Sequence, residues 1–276
     1  MNTITHIQHL ADVPGIGSLD VSYSERGSGH PVLLLHGGGG PRTVTAWADT
    51  LAAARHARVL TPVHPGFDGT HRPAALDEIR GLAASYLELL EALDLRDVTV
   101  VGNSIGGWIA AEMAALGSAR VCGYVLVDAV GLEVPGHPVA DFFSLTPAEL
   151  ARLSYHDPET YGIDPSKLPP EMRAAMVGNR EALAVYGGST MTDPGLGGRL
   201  AGVDTPTLVV WGEADRIGDP DTGRAFADVI PGARFHLLKA AGHLPQIEAP
   251  AALVKLVWDF ADTHATGGRP AAEAAD

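Results

Sequence analysis

Seven short runs along the chain carry the strongest apolar signal. "GSLDVSYSERG" (17–27) alternates apolar and polar positions and ends in turn residues, which predicts a half-buried strand. "PVLLLHG" (31–37), "ARVLTPV" (57–63), "VTVVG" (98–102), "VCGYVLVDA" (121–129), "PTLVVWG" (206–212) and "ARFHLLK" (233–239) are continuous or nearly continuous apolar runs bounded by loops, as expected of strands covered on both faces. Between them the period changes. From Ala75 to Leu93, Leu76, Ile79, Leu82, Ala83, Tyr86, Leu87 and Leu90 keep to one helical face, and 249–264, "APAALVKLVWDFADTH", repeats the pattern. Buried strands alternating with helices predict an α/β fold with a mostly parallel sheet flanked by helices.

One segment breaks the alternation. Residues 131–200 carry no strand signal but hold Pro138, Pro147, Pro158, Pro165, Pro169 and Pro170 among short helical patterns such as "TPAELARLSYH" and "PPEMRAAMVGNREALAVYG". A structureless loop of that length is improbable inside a compact domain, so the segment is expected to be an inserted helical lid, or cap. Residues 1–130 and 201–264 then form the core, and 265–276, poor in bulky apolar residues, are expected to be a disordered tail.

Composition narrows the partners. The chain has 276 residues, enough to bury a core without staples, and a formal charge of −14 at neutral pH. That charge leaves no basic surface to neutralise phosphates, which argues against nucleic acid and anionic membranes, and mildly against an anionic substrate. A small-molecule substrate is expected; composition does not settle whether the chain self-associates. The single cysteine, Cys122, falls in an apolar run and is expected to be a buried small hydrophobe. The first residues, "MNTITHIQHLADV", lack a basic start followed by an apolar block, and no stretch reaches 18 consecutive apolar residues, so a cytoplasmic location is the expectation.

The candidate chemistry lies at the ends of the predicted strands. In "VVGNSIGGWIA" (100–110) a strand runs into a helix through Gly102-Asn103-Ser104-Ile105-Gly106, which would set Ser104 on a tight elbow. There the Ile105 N–H would lie at a helix N-terminus, where unpaired donors favour a developing negative charge. "LLLHGGGGP" (33–41) places a second glycine-rich turn after another strand, with Gly38 as the second oxyanion donor and Gly39 as its near alternative; His36 is expected to prop that loop. A serine hydroxyl needs a base whose tautomer a carboxylate fixes. His243 in "KAAGHLPQIEAP" is the candidate base and Asp215 in "VVWGEADRIGDP" the candidate acid, with Asp128, at the end of "YVLVDA", as its rival. His64, Asp68 and His71 in "HPGFDGTH" have ligand-like separations but are read as a loop after a strand. No nucleotide-binding glycine pattern is present, and no cofactor or metal is expected.

These motifs, "LLLHGGGGP", "HPGFDGT", "VVGNSIGGW", "VVWGEADR" and "AGHLPQIEAP", resemble in kind and order those of the α/β-hydrolase fold family, across nearly the whole chain apart from the lid. The glycine run after His36 and Asn103 before the serine are similar to the meta-cleavage-product C–C hydrolases. That resemblance implies that Asn103 and a lid arginine, here Arg180, help to hold a dienoate substrate. Leu244 stands where those enzymes commonly carry a tryptophan, and Asp49 where an asparagine is usual. The expectation is a cofactor-independent serine hydrolase cleaving a small, largely apolar ester through an acyl-enzyme. C–C bond hydrolysis of a vinylogous diketone is the alternative, lyase or peroxide-dependent chemistry could use the same residues, and the fold also serves as a ligand receptor with little turnover.

Overall fold

The structure is a computed structural model that describes residues 3–265. The chain runs β1 (Ile4–Val13), β2 (Gly17–Gly27), β3 (His30–Leu35), α1 (Arg42–Ala54), β4 (Ala57–Pro62), α2 (Ile79–Ala92), β5 (Val98–Asn103), α3 (Ile105–Leu116) and β6 (Val121–Val127). After β7 (Gly131–Leu132) come α4 (Pro147–Ser154), α5 (Pro158–Tyr161), a 3₁₀ turn (Pro165–Lys167), α6 (Pro170–Gly187), β8 (Thr192–Asp193) and α7 (Leu196–Leu200). The chain returns through β9 (Thr207–Gly212), α8 (Pro220–Val229), β10 (Arg234–Leu238), α9 (Pro245–Glu248) and α10 (Pro250–His264).

Eight strands form one sheet in the order β1-β2-β4-β3-β5-β6-β9-β10. From β4 to β10 every pairing is parallel, while β1 and β2 join as an antiparallel ribbon at one edge. The pleat explains the double cover. In β3, Leu33 and Leu35 pack into the layer that holds Leu82 and Tyr86 of α2 and Ile109 of α3, whereas Val32 and Leu34 face Trp47 of α1 and Leu253 and Val257 of α10. A continuous apolar strand thus serves two cores at once.

Two departures from the apolar pattern stand out. The 4–13 stretch is a ten-residue strand. Its pattern hides it because β1 is an edge strand: only Leu10 and Val13 are buried, and Ile4 and Ile7 stand 57% and 73% exposed. The second departure is at the ends of the inserted segment, where Gly131 and Leu132 pair in parallel with Thr192 and Asp193, closing its base. Helices α4, α5 and α6 lie between those two strands. Hydrogen bonds locate the insert over the carboxyl ends of the sheet: Tyr186 Oη donates to the Pro65 carbonyl (2.9 Å), and the Ala140 amide to the Ile217 carbonyl (2.8 Å). The tail expected from 265 lies, beyond Ala265, outside the described residues. No helix among the described residues is long and apolar enough to cross a membrane.

Candidate active site

The elbow after β5 is built from close backbone contacts. A Cβ on Gly102 would come within 2.1 Å of the Gly106 carbonyl oxygen, and one on Gly106 within 2.4 Å of that of Leu35, so no larger residue fits either place. Ser104 between them has φ 57° and ψ −119°, a strained conformation for a residue with a side chain. The turn is held on both sides: the Ser104 amide donates to Val127 O (2.9 Å), and the amides of Trp108 and Val130 donate to Ser104 O (3.1 and 3.4 Å). The hydroxyl stands at the start of α3, half-buried and reachable.

From that hydroxyl a hydrogen-bond chain leads inward. His243 Nε2 is 2.9 Å from Ser104 Oγ, and His243 Nδ1 is 2.8 Å from Asp215 Oδ2. With the proton on Nδ1, donated to Asp215, Nε2 is free to accept the serine proton. The acid's other oxygen, Oδ1, accepts the amides of Ile217 (2.8 Å) and Gly218 (3.4 Å). Asp128 lies close by: one ligand atom each of Asp128, Asp215 and His243 fall within 4.8 Å of one another. It differs in its partners, however. Asp128 Oδ1 accepts the Gly212 amide (2.7 Å), while Oδ2 has none. Complete burial, and then the neighbouring Asp215 charge, hold the Asp128 carboxyl well above the usual carboxylate range, which favours its protonated form.

The glycine-rich loop after β3 closes over the elbow. A Cβ on Gly37 would lie 2.9 Å from Asn103 Oδ1 and 3.3 Å from Ser104 Cβ, and one on Gly38 would meet Leu183 of α6 at 2.6 Å. Gly39 sits at the exposed rim, where its carbonyl accepts Asn179 Nδ2 (3.2 Å). Among the described residues, the amides of Ile105, Gly38 and Gly39 have no protein acceptor, whereas Gly40 donates to Gly37 O (3.0 Å).

Beneath this loop lies a buried pair that the sequence indicates only through His36. His36 Nδ1 donates to Gly37 O (2.7 Å) and Nε2 accepts the His64 amide (3.1 Å); His64 Nε2 donates to His36 O (2.9 Å) and Nδ1 accepts Tyr86 Oη–H (2.5 Å). Both rings are fully committed as neutral imidazoles. Burial lowers His64 to about 4 and His36 well below its ordinary value, the latter further depressed by His64. His64 is therefore not available to join Asp68 and His71 as a ligand.

The unfolded imidazoles take up protons near pH 6.5 and the folded ones do not until far lower, so each contributes stability above about 6.5 that drains away as pH falls toward 4. Asp128 works the other way, because its raised folded carboxyl holds a proton to higher pH than the unfolded one does. Two lowered imidazoles oppose one raised acid, so stability is expected to fall between pH 6.5 and 5. Urea unfolding at those two pH values checks this; a midpoint that stays level or rises on acidification contradicts it.

Two positions do not sit as the resemblance implies. Asn103 is 3% exposed, and its Nδ2 donates to His243 O (3.0 Å) and Val127 O (3.3 Å) while its Oδ1 accepts Gln246 Nε2 (3.1 Å). Its amide is thus spent inside the protein, because β5 carries it under the His243 loop. Arg180 of α6 donates to the Phe143 carbonyl and lies 5.3 Å from the centre of the Phe143 ring, both within the insert. Leu244, half-buried, begins α9 directly after His243. Asp49, at the other departure, accepts Arg26 Nε from β2 (2.7 Å). The Cys122 thiol, half-buried, is pushed up to about 11 by burial and is no nucleophile at neutral pH.

Known proteins agree with this architecture. A 2-hydroxy-6-oxo-2,4-heptadienoate hydrolase of Pseudomonas putida is 30% identical over 272 residues, covering 88% of this chain and 93% of that one. A 2-hydroxymuconate semialdehyde hydrolase of a Pseudomonas species is 29% identical over 255 residues, covering 86% and 88%. Among solved structures, a thermophilic esterase from Thermogutta terrifontis superimposes with a TM-score of 0.74 at 22% identity, covering 95% of this chain and all of that one, a likeness of fold. The sequence model of the alpha/beta hydrolase family matches residues 32–256, which takes in the elbow, the glycine-rich turn after β3 and the Asp215 and His243 loops. The sheet is that of the α/β-hydrolase fold, and the chain belongs to the alpha/beta hydrolase family.

Proposed function

We propose that the protein is a cofactor-independent serine hydrolase of small, largely apolar esters, with Ser104 as nucleophile, His243 as general base and acid, and Asp215 as the group that fixes the imidazole. The observation that carries this reading is the unbroken chain Ser104 Oγ to His243 Nε2 (2.9 Å) and His243 Nδ1 to Asp215 (2.8 Å) beside unpaired amides. As Ser104 Oγ adds to the carbonyl carbon, its proton passes to His243 Nε2, and the oxyanion falls to the N–H groups of Ile105 and Gly38, with Gly39 as alternative. Collapse expels the alcohol, which takes the proton back from His243. Water then repeats the sequence on the acyl-enzyme and frees Ser104. The insert acts as the lid, and Leu183, against Gly38, supplies an apolar wall beside the reacting carbonyl.

A second reading, hydrolysis of a C–C bond in a dienoate, draws on the named activities of the relatives. The ester comes first because the amide of Asn103 and the guanidinium of Arg180, which the resemblance would aim at a dienoate carboxylate, are both engaged within the protein. The purified protein should turn over chromogenic short-chain esters faster than ring-fission dienoates, with Ser104→Ala as control for both. Faster dienoate turnover, lost by at least roughly tenfold in Arg180→Gln, would instead favour the second reading.

A further inference from the structure

Glu248, within the "AGHLPQIEAP" motif, is the last residue of α9, and the acyl-transfer steps leave it without a role. Its carboxylate gathers three main-chain amides from two parts of the fold. Oε2 accepts the N–H of Gly242, the residue before His243 (2.7 Å), and that of His156 in the insert (3.1 Å); Oε1 accepts the N–H of Asp157 (3.0 Å). The same corner is tied a second time through the end of α4. A helix leaves its last carbonyls without internal partners. Here the Ser154 carbonyl accepts the His243 amide (2.7 Å) and the Leu153 carbonyl the Arg216 amide (3.1 Å), while the Arg152 carbonyl accepts Arg216 Nη1 (3.2 Å). Residues on the acid loop and the histidine loop therefore cap one helix of the insert. The approach is so close that a Cβ on Gly242 would come within 2.4 Å of the Ser154 oxygen. From the core side, Asn103 holds the His243 carbonyl.

We infer that Glu248 is a positioning residue that locks the end of α4 to the loops of Asp215 and His243, so that the insert keeps the imidazole at hydrogen-bond distance from Ser104. The inference rests on the proposed triad. Glutamine in this place presents one acceptor oxygen and an NH₂ group, so at least one amide loses its partner and faces a donor. A base held loosely costs turnover without changing what the pocket binds.

Glu248→Gln should lower kcat for an accepted ester by roughly tenfold to a hundredfold, with KM within about twofold. It should slow inactivation of Ser104 by a small alkyl fluorophosphonate by a similar factor, because that reaction needs His243 but little of the substrate pocket. Thr146→Ala, which removes the capping box at the opposite end of α4, serves as the structural control and should leave both rates within about twofold. If Glu248→Gln reacts like the wild type, or Thr146→Ala loses as much, the positioning role is overturned. A wild type that the probe does not label at Ser104 overturns the triad itself and the inference with it, which separates the two failures. Should Glu248→Gln not fold, hydrogen exchange on the wild type decides. The amides of His156, Asp157, Gly242 and His243 are expected to open as one cooperative unit, and independent opening of the insert pair contradicts the lock.

Discussion

Replacing Ser104 by alanine is expected to lower kcat on any accepted ester by roughly ten-thousandfold or more while leaving the fold intact. The size of the loss follows from the division of labour. Without the hydroxyl, no covalent intermediate forms, and His243 can at best activate a water in a site shaped around Oγ. What survives is the contribution of the Ile105 and Gly38 amides and of substrate binding. The fold should tolerate the change because the elbow is held by main-chain bonds to Val127, Trp108 and Val130 and by the contacts of Gly102 and Gly106, none of which involves the hydroxyl. Alanine keeps the same positive φ, so the strain at position 104 stays. Steady-state rates with thermal unfolding checked in parallel test this; an alanine variant within tenfold of the wild type would remove Ser104 from the mechanism.

The second large effect separates the two buried acids. Asp215→Asn is expected to cost about ten-thousandfold in kcat, because an amide facing His243 Nδ1 can favour the tautomer that leaves Nε2 protonated and unable to act as a base. Asp128→Asn should cost less than about tenfold. Burial favours the protonated, uncharged form of Asp128, which asparagine resembles, and asparagine can still accept the Gly212 amide that Oδ1 now accepts. The distinction is one of partners rather than distance: Asp215 binds His243 directly and is fixed by two amides, whereas Asp128 has one amide and an unpartnered oxygen. The reverse ranking, with the larger loss at Asp128, would move the acid to the end of β6.

How much of this was legible in the sequence depends on the range of the interaction. Strands β3, β4, β5, β6 and β9 announce themselves because each is buried on both faces, β2 by its alternation, and the elbow because its glycines are required within five residues of chain; β10, at the far edge, reads as an apolar run but buries only Leu238 fully. β1 did not announce itself, since an exposed edge strand keeps only Leu10 and Val13 inside and alternates them with histidine, glutamine and exposed isoleucine. The two-residue strands at the base of the insert are too short to leave a pattern. Position in a motif located Ser104, Asp215 and His243 but said nothing about where Asn103 points. Two of its partners, His243 O and Gln246, lie some 140 residues downstream, and only the packing of β5 beneath the histidine loop decides between substrate and scaffold. Arg180 is the same case, captured by Phe143 across the insert. Glu248 was present in a quoted motif with one of its amide partners, Gly242, yet the other two, His156 and Asp157, come from the insert, which no local spacing connects to it.

In the proposed mechanism Ser104 becomes acylated. Intact mass of the protein, quenched by acid within the first turnovers of an activated short-chain ester and followed by peptide mapping, tests it most directly. One added acyl group is expected on the peptide containing Ser104, present in the wild type and absent from Ser104→Ala. Turnover of the ester with no acyl group on Ser104 at any quench time, or with the group on another residue, would contradict it.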